Sequence, residues 1–401
     1  MSERYDIVTV GGGLGGAAVA ATMARRGHRV LVLERTTEFT DRVRGEVLVP
    51  WGCVEAKRLD LLAPLAEACG HEVPFWDAMV GGMTVLHRDM RTATEEGLPV
   101  LMFYHAAMQN VVLGEAVRAG AEVRRGTRVT EVTPGASPAV VFADGEQSER
   151  VTARLVVGAD GRGSPMRKRA GLEAKRDPER RMFAGVLLDG IAAPEDTMIG
   201  CFVPDQGLMS WVFPQGNGRA RCYVGYASAS DTKRFTGERD IGRFIDTAVT
   251  TGMPAEYYAD AKVAGPLATF DATDEWVEHP FVDGLALVGD AAAMSDPTWG
   301  QGMSNTLRDV RVLTDALAAD DDWNAAGHAY ADEHDRGHRA CHTADTWYTD
   351  LLLDVGPAAD ARRAKAVPLV LAEPDRIVDT PLAGPDLVVP DEAARVRMFG
   401  E

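Results

Sequence analysis

Three times along this chain a short apolar run stops abruptly in glycine: Tyr5–Val10 before Gly11, Leu155–Val157 before Gly158, and Leu285–Val288 before Gly289. Runs of that length bounded by glycine predict buried strands. After the first, Ala17–Arg26 is rich in small residues and predicts a helix that Gly27 stops, and Arg29–Glu34 predicts a second strand. The order is strand, tight turn, helix, strand, with an acidic residue closing the second strand. Asp41–Leu62 follows as a loop and then a helix, and Val80–Thr92 alternates weakly, as a short hairpin through Arg88-Asp89 would. Met108, Val112 and Ala116 fall at helical spacing within Met102–Ala119, and Gly120 punctuates that helix.

Three short strands are expected near Arg128–Thr133, Ala139–Ala143 and Thr152–Val157, with Asp144-Gly145 as a hairpin turn between the last two. They read as a β-meander inserted after the first βαβ unit. Ser164 is placed to cap a helix over Pro165–Ala170. From 176 to 275 the pattern changes. Phe183–Leu188, Met198–Val203, Leu208–Phe213 and Arg219–Tyr226 are strand-like, and Gly216-Asn217-Gly218 predicts a hairpin joining the last two. Along the last strand Arg219, Arg221 and Tyr223 share one face, and Ala220, Cys222 and Val224 the other. This predicts an antiparallel sheet in a second domain. After Gly289-Asp290 the loop Asp296-Pro297-Thr298-Trp299-Gly300-Gln301-Gly302-Met303 leads into a helix through Leu307, Val310, Leu313 and Leu317.

Composition narrows the partners. The chain of 401 residues is long enough for one large or two ordinary domains, and 46% hydrophobic content supports a sizeable core. Its 42 Lys and Arg against 60 Asp and Glu give a net charge of −18, which argues against nucleic acid and anionic membrane as partners. No apolar run is long enough to span a bilayer, and the first apolar run reads as a strand rather than a signal peptide. The 5 cysteines are scattered with no C-x-x-C pair, so no disulfide framework is expected and a reduced, cytoplasmic setting is.

The first glycine block carries specific chemistry. Gly11 permits the tight turn, and Gly13 lets backbone N–H groups approach a pyrophosphate. Gly16, with Ala17 and Ala20, lets the helix pack on the sheet. The helix start offers unpaired N–H donors and the positive end of the helix dipole. Glu34 follows Gly16 by 18 residues, close to the offset of a ribose-binding carboxylate. A glycine turn without a ligand is the competing reading, and it leaves the strand, helix and acid in this order unexplained. An acid at the end of the second strand suits the free ribose of NAD or FAD, not the 2′-phosphate of NADP. Arg42 and Arg44 put cations near the expected pyrophosphate, and a solvated loop accounts for Arg42 equally well.

Taken in order, Gly11–Gly16 with Glu34, Ala159-Asp160-Gly161 and Gly289-Asp290 resemble the single-component FAD-dependent aromatic hydroxylases, the para-hydroxybenzoate hydroxylase-like flavin monooxygenases. The resemblance covers residues 1 to about 345. It implies an α/β fold: a Rossmann-like FAD-binding domain with a β-meander, made of 1–79, 101–175 and 276–350, plus an antiparallel-sheet substrate domain made of 80–100 and 176–275. Residues 351–401 would form a helical or irregular extension. Gly11, Gly13 and Gly16 would hold the FAD pyrophosphate and Glu34 the adenosine ribose, with Arg35 also on the cofactor. Arg44 would approach the flavin side of the pyrophosphate, Asp160 would serve FAD and NAD(P)H, and Asp290 would bond the ribityl chain. Pro297, Gly300, Gly302 and Met303 would line the isoalloxazine ring, which makes Pro297, Gly300 and Gly302 the expected catalytic positions. The family has arginine or glutamine at the start of the helix after the first hairpin. Here His105 stands there and Gln109 one turn later, so both are candidates.

The implied reaction is hydroxylation of a small aromatic substrate with NAD(P)H and O2 through a flavin C4a-hydroperoxide. A second G-x-G-x-x-G for nicotinamide is lacking, which fits transient NAD(P)H contact at the flavin or electrons from a separate flavin reductase. Trp211, Arg221 and Tyr223 are the candidate substrate-facing side chains. A halogenase or prenyl reductase shares much of the pattern, and a non-catalytic flavin-binding protein is the reading from another class. Trp211-Val212-Phe213-Pro214 resembles part of the tryptophan-halogenase signature but has one of its two tryptophans, so an aromatic on a sheet face is the simpler reading. His334, His338 and His342 share a helical face as metal ligands can, but a solvated face with Gly337 weakening the helix is preferred, and no metal is expected.

Overall fold

A computed structural model describes residues 4–43, 45–145 and 147–401. Ile7–Val10 (β1) is buried throughout and opens onto Leu14–Arg25 (α1), which leads back to Val30–Glu34 (β2) in parallel register, Ile7 opposite Val30. On the other side β1 pairs in parallel with Leu155–Gly158 (β3), and β3 with Leu285–Leu287. Glu122–Arg125 and Phe281–Val282 close a sheet of six strands. The three apolar runs that stop in glycine therefore lie side by side and end at one sheet edge. Parallel strands buried on both faces need continuous apolar runs, which is why these segments show no alternation.

The meander is Arg128–Thr133, Ala139–Asp144 and Gln147–Thr152. The single strand expected over Thr152–Val157 is two. Ala153 N still donates to Pro138 O in the meander, whereas Arg154 N and Leu155 N both donate to Asp6 O, so the chain changes sheets there. Ser164 caps the helix Pro165–Arg169 as expected, its Oγ accepting from Arg167 N.

Arg181–Asp189 (β4), Thr197–Val203 (β5), Leu208–Pro214 (β6) and Ala220–Ala227 (β7) form the centre of an eight-stranded sheet. Phe75–Val80 and Met83–Asp89 complete one edge, and Phe75–Val80 runs parallel to β5, so the sheet is not wholly antiparallel and takes in residues from 75 rather than from 80. That hairpin turns at Gly81-Gly82, where φ is +59° and +75°, not at Arg88-Asp89. Two successive left-handed residues favour Gly-Gly there, and Asp89 instead accepts from Arg91 N at the strand's end. One face of the sheet carries Cys222 and Val224 and packs on Ile241–Thr250 (α2) through Phe244 and Ala248. The opposite face looks toward the glycine-rich sheet edge.

Gly302–Ala319 (α3) packs on α1, and on Trp323–Leu352 (α4). Gly337 does not interrupt α4: a Cβ there would lie 2.3 Å from Arg308 Nη1, so the missing side chain admits that guanidinium. The C-terminal helices Pro357–Ala372 and Glu392–Phe399 join α4 through a small core around Trp347, Leu351, Ala366 and Phe399. Among the described residues no helix is long and apolar enough to cross a membrane.

Candidate active site

A cavity of about 490 Å3 runs from the glycine turn after β1 to the inward face of the eight-stranded sheet. At its first end the lining is backbone. Gly11 has φ of +106°, and a Cβ there would lie 2.3 Å from Ala159 O, just past the end of β3. A Cβ on Gly16 would lie 1.9 Å from Gly11 O and 3.2 Å from Ala159 Cβ, so Gly16 lets the helix start pack closely on the ends of two strands. Gly13 differs: a Cβ there would meet nothing closer than Gln109 Nε2 at 3.5 Å, and Gly13 lines the cavity at the N-terminus of α1. Glu34 is buried, with Oε2 accepting from Gly12 N at 2.7 Å and Oε1 accepting from Thr36 N at 2.7 Å. The turn and the acid are thus one locked unit.

Arg35 is exposed at the cavity rim, and His105 and Gln109 both line it. The His105 ring bonds Gly45 O through Nδ1 at 2.8 Å. Arg44 lies outside the described residues. Asp160 lines the cavity, but its carboxylate accepts from Ser164 Oγ and from Met166 N at 2.9 Å, which ties it to the helix start behind it. Burial pushes its carboxyl up against those bonds. Asp290 also lines the cavity. The turn that carries it is fixed from below: Gly289 N donates to Asp309 Oδ2 at 2.9 Å, and Asp309 Oδ1 bonds His334 Nδ1 at 2.9 Å.

Pro297, Gly300, Gly302 and Met303 all reach the cavity. Gly300 is left-handed at φ of +70°, and α3 begins at Gly302 with its first N–H groups at the cavity wall. Beneath this loop lies a buried ionic layer. Arg181 pairs with Asp296, Asp296 N donates to Asp274 Oδ1 at 3.2 Å, and Gln301 Nε2 donates to Asp345 Oδ1 at 2.7 Å. Burial and the neighbouring Asp296 push the Asp274 carboxyl up to about 7. Asp345 is raised well above the usual carboxylate range by burial and by Asp274.

The far end is paved with rings. Tyr223 stands opposite Gly185, Trp211 opposite Gly200, and Phe183 opposite Gly225. A Cβ on Gly185 would lie 2.4 Å from the Tyr223 ring, and one on Gly200 would lie 2.6 Å from the Trp211 ring. Glycine within a strand, otherwise unfavourable, here lets a cross-strand aromatic lie flat. Trp211 and Phe213 are 5.4 Å apart between centroids, Phe213 and Tyr223 5.8 Å, and Phe183 and Phe270 6.2 Å. Trp211 and Tyr223 line the cavity as expected, but Arg221 does not. It is fully buried behind them, with Nη2 donating to Asp41 Oδ1 at 2.7 Å and Nε 3.1 Å from Glu46 Oε1. Glu46 faces the cavity and accepts from Tyr223 Oη at 2.5 Å.

The sequence model of the FAD binding domain family matches residues 4–346. The chain belongs to that family. It is an FAD-dependent oxidoreductase of the para-hydroxybenzoate hydroxylase-like fold. Curated relatives include digeranylgeranylglycerophospholipid reductase 1 of Methanococcoides burtonii, 28% identical over 337 residues that cover 80% of this chain and 77% of the relative. Another is rifampicin monooxygenase of Streptomyces venezuelae, 29% identical over 333 residues, covering 80% of this chain and 66% of the relative. Among solved structures, p-nitrophenol 4-monooxygenase of Pseudomonas putida superposes with a TM-score of 0.80 at 18% identity, covering 95% of this chain and 99% of that one. A probable FAD-dependent monooxygenase of Pseudomonas aeruginosa gives 0.72 at 21% identity, covering 88% and 97%. Both structural likenesses speak to the fold.

The flavoprotein's own residues fit the cofactor of its family. The cradle at Gly11–Gly16 is open where Gly13 faces it and closed where Gly11 and Gly16 pack, and Glu34 is fixed at its edge. Sequence reasoning missed Glu46, Phe183, Phe213, Phe270 and Asp309. Strand alternation could have found two of the missed aromatics: Phe183 and Phe213 share a face with Trp211 and Tyr223 once β4, β6 and β7 are registered. Glu46 sits in a loop and carried no pattern. The histidines of α4 serve separate partners, His334 bonding Asp309 and His342 bonding Asp177 at 2.7 Å.

Proposed function

We propose that this flavoprotein is a monooxygenase that hydroxylates a small, flat aromatic substrate with O2 and electrons from NAD(P)H. The observation behind this reading is the continuity of one cavity between the dinucleotide cradle and a floor of aromatic rings. In this reading the turn at Gly11 and Gly13, which Gly16 keeps tight from behind, and the start of α1 hold the pyrophosphate, Glu34 and Arg35 the adenosine end, and Asp290 the ribityl chain. His105, Gln109 and Asp160 border the cofactor, and Pro297, Gly300, Gly302 and Met303 line its ring. When bound, FAD supplies the redox chemistry and the activation of O2. The protein's part is positional. The first N–H groups of α3 stabilise negative charge on the pyrimidine side of the ring, the glycines keep its face clear, and Phe183, Trp211, Phe213 and Phe270 hold a planar substrate and exclude water.

A second reading has support in the relatives. Curated relatives near 28% identity are named as reductases of a prenyl lipid, and an apolar floor suits an isoprenoid chain as well as a ring. Product mass separates the two. The protein is purified, its FAD measured after denaturation, and NAD(P)H oxidation and O2 uptake followed with aromatic and prenyl probes. We expect bound FAD, stoichiometric O2 uptake and a product heavier by one oxygen atom. A product heavier by two hydrogens without O2 uptake selects the reductase. Absence of FAD both as purified and after reconstitution removes both readings.

A further inference from the structure

Outside the cavity, Asp177, Asp274 and His342 meet from three separate elements. Asp177 lies between the short strand Lys175–Arg176 and β4, where the chain enters the eight-stranded sheet. Asp274 lies just before Glu275–Trp276, where the chain leaves it, and Asp177 N donates to Asp274 O at 3.1 Å. His342 stands on α4, its ring 5.1 Å from the Trp276 ring. A ring nitrogen of His342 and one oxygen of each carboxylate all lie within 4.8 Å of one another, and His342 Nε2 is 2.7 Å from Asp177 Oδ2. Asp274 is 8% exposed. Its Oδ1 accepts from Asp296 N at 3.2 Å, while among the described residues no donor reaches Oδ2 and neither Asp177 nor Asp274 pairs with a Lys or Arg. A carboxylate oxygen so placed and left without a donor is rare in folded proteins. The group is not sealed off. The side chains of His342 and Asp177 are 25% and 36% exposed, which leaves a small ion an approach to Asp274 past them.

We propose that Asp177, Asp274 and His342 bind a divalent transition-metal cation that clasps the two chain crossings to α4. Metal bonds of about 2.0–2.2 Å to nitrogen and oxygen set neighbouring ligand atoms about 3–3.5 Å apart. The present spacing brackets that range, so side-chain rotation alone completes the site. One imidazole with two carboxylates suits Zn2+ or Mn2+, and the exposed side leaves room for water as the remaining ligand. A divalent cation cancels the charge of two carboxylates that otherwise stand together without a Lys or Arg. The site is structural. Through Asp274 Oδ1 and Asp296 N it steadies the loop that runs on to Pro297, Gly300 and Gly302. Only His342 of the three α4 histidines takes part, so the site lies across elements and not along the helical face.

The test uses the full chain as purified, stripped with EDTA, dialysed and titrated with Zn2+ alone against a competing chelator dye. Thermal melting is followed in parallel, and Mn2+ binding is read from loss of the free-ion EPR signal. We expect one Zn2+ per chain and a melting temperature that rises with Zn2+ concentration. His342→Gln and Asp177→Asn should each weaken Zn2+ binding about tenfold or more and remove that rise. Their metal-free melting temperatures and FAD content should stay near those of wild type. If His342→Gln fails to fold, Asp177→Asn carries the test. A control lies elsewhere on the surface. His279 and His328 bond each other at 2.7 Å, with Asp332 and Asp283 each 3.3 Å from one of the rings. An adventitious ion would sit there, and His328→Gln should leave the Zn2+ affinity unchanged. A wild-type melting temperature that neither Zn2+ nor Mn2+ raises overturns the proposal. Binding that is lost in His328→Gln and kept in Asp177→Asn means an adventitious ion only, and overturns it too. None of these outcomes depends on which reaction the cavity runs.

Discussion

At the dinucleotide end of the cavity the working groups are backbone amides and missing side chains, and they come from two short stretches, residues 11–16 and 34–36. At the sheet end they are rings and buried charges gathered from Glu46, Phe183, Trp211, Phe213, Arg221, Tyr223 and Phe270, more than two hundred positions apart at the extremes. The first end is held by steric closeness and by the two backbone N–H groups that the Glu34 carboxylate accepts from. The second is held by ion pairs out of water, which are weak evidence for stability but costly to break from one side. The contrast suggests that one end was built for a fixed ligand and the other for a ligand that differs between relatives.

The largest test removes a cation from the second end. In Arg221→Met, Asp41 and Glu46 lose their partner in a fully buried place, and we expect a loss of about 3–5 kcal/mol in unfolding free energy. Denaturant titration measures it, and a loss below about 1 kcal/mol would mean that water reaches this site and the charge argument is void. Next comes the first end. Gly16→Ala sets a methyl group 1.9 Å from Gly11 O, a backbone atom that cannot swing away. Overpacking of that kind costs roughly 3 kcal/mol, and FAD content should fall with it. An alanine variant that keeps its FAD and its stability would show the turn to be softer than the comparison requires.

The same contrast explains what was readable. Gly11, Gly13, Gly16 and Glu34 work through local geometry, so their spacing along the chain carries the message. The strand over Thr152–Val157 was misread because the backbone changes sheets at Ala153 and Arg154, a partnership with Asp6 that no local pattern encodes. The turn at Gly81-Gly82 is legible in its two glycines, which take the left-handed conformations that Arg88-Asp89 would adopt only with strain. Arg221 was assigned to the right face of its strand, but whether that face met a cavity or a carboxylate depended on the loop holding Asp41 and Glu46. Asp309 lay on a helix with no motif, and its bond to Gly289 spans 20 positions.

A smaller effect separates the ends by pH. Asp274 is raised from 3.8 to about 7 by burial and by Asp296, so it stays protonated in the folded protein after it has ionised in the unfolded chain. The unfolded state then binds fewer protons, and stability falls as pH rises between those two values. Asp274→Asn removes the titration. We expect its stability relative to wild type to rise with pH across that window and to be greatest at pH 8, with the gap closing toward pH 4. The contact between Gly16 and Gly11 O involves no titrating group, so Gly16→Ala should lose the same increment at both pH values. A stability gap for Asp274→Asn that does not change with pH would place the Asp274 titration outside this range.

The smallest expected change in stability is the most informative, because it sits where the two ends meet. Gly300 and Gly302 are two residues apart and look alike in sequence, yet the backbone treats them differently. Gly300 is left-handed at φ of +70°, and a Cβ there would press on Val47 Cγ1 at 3.0 Å. Gly300→Ala should therefore cost about 1–2 kcal/mol whether or not a ligand is bound. Gly302 opens α3 in ordinary helical geometry, and its Cβ would find only Ser295 Oγ at 3.5 Å, a normal contact. Alanine is a better helix former than glycine by up to about 1 kcal/mol, so Gly302→Ala should leave the apo protein as stable as wild type or slightly more so. Nothing in the folded chain asks for glycine there. What asks for it is the cavity wall, where a methyl group would stand between the first amides of α3 and the ring they serve. We expect Gly302→Ala to keep its melting temperature without cofactor while its FAD dissociation constant rises about tenfold, a loss of about 1.4 kcal/mol confined to binding. If FAD affinity is unchanged, the start of α3 does not touch the flavin, and the ring lies elsewhere along the cavity. If the apo protein unfolds instead, Gly302 belongs with Gly11 and Gly16 as a glycine of packing, and the division between the two ends falls further along the chain than the loop at 300.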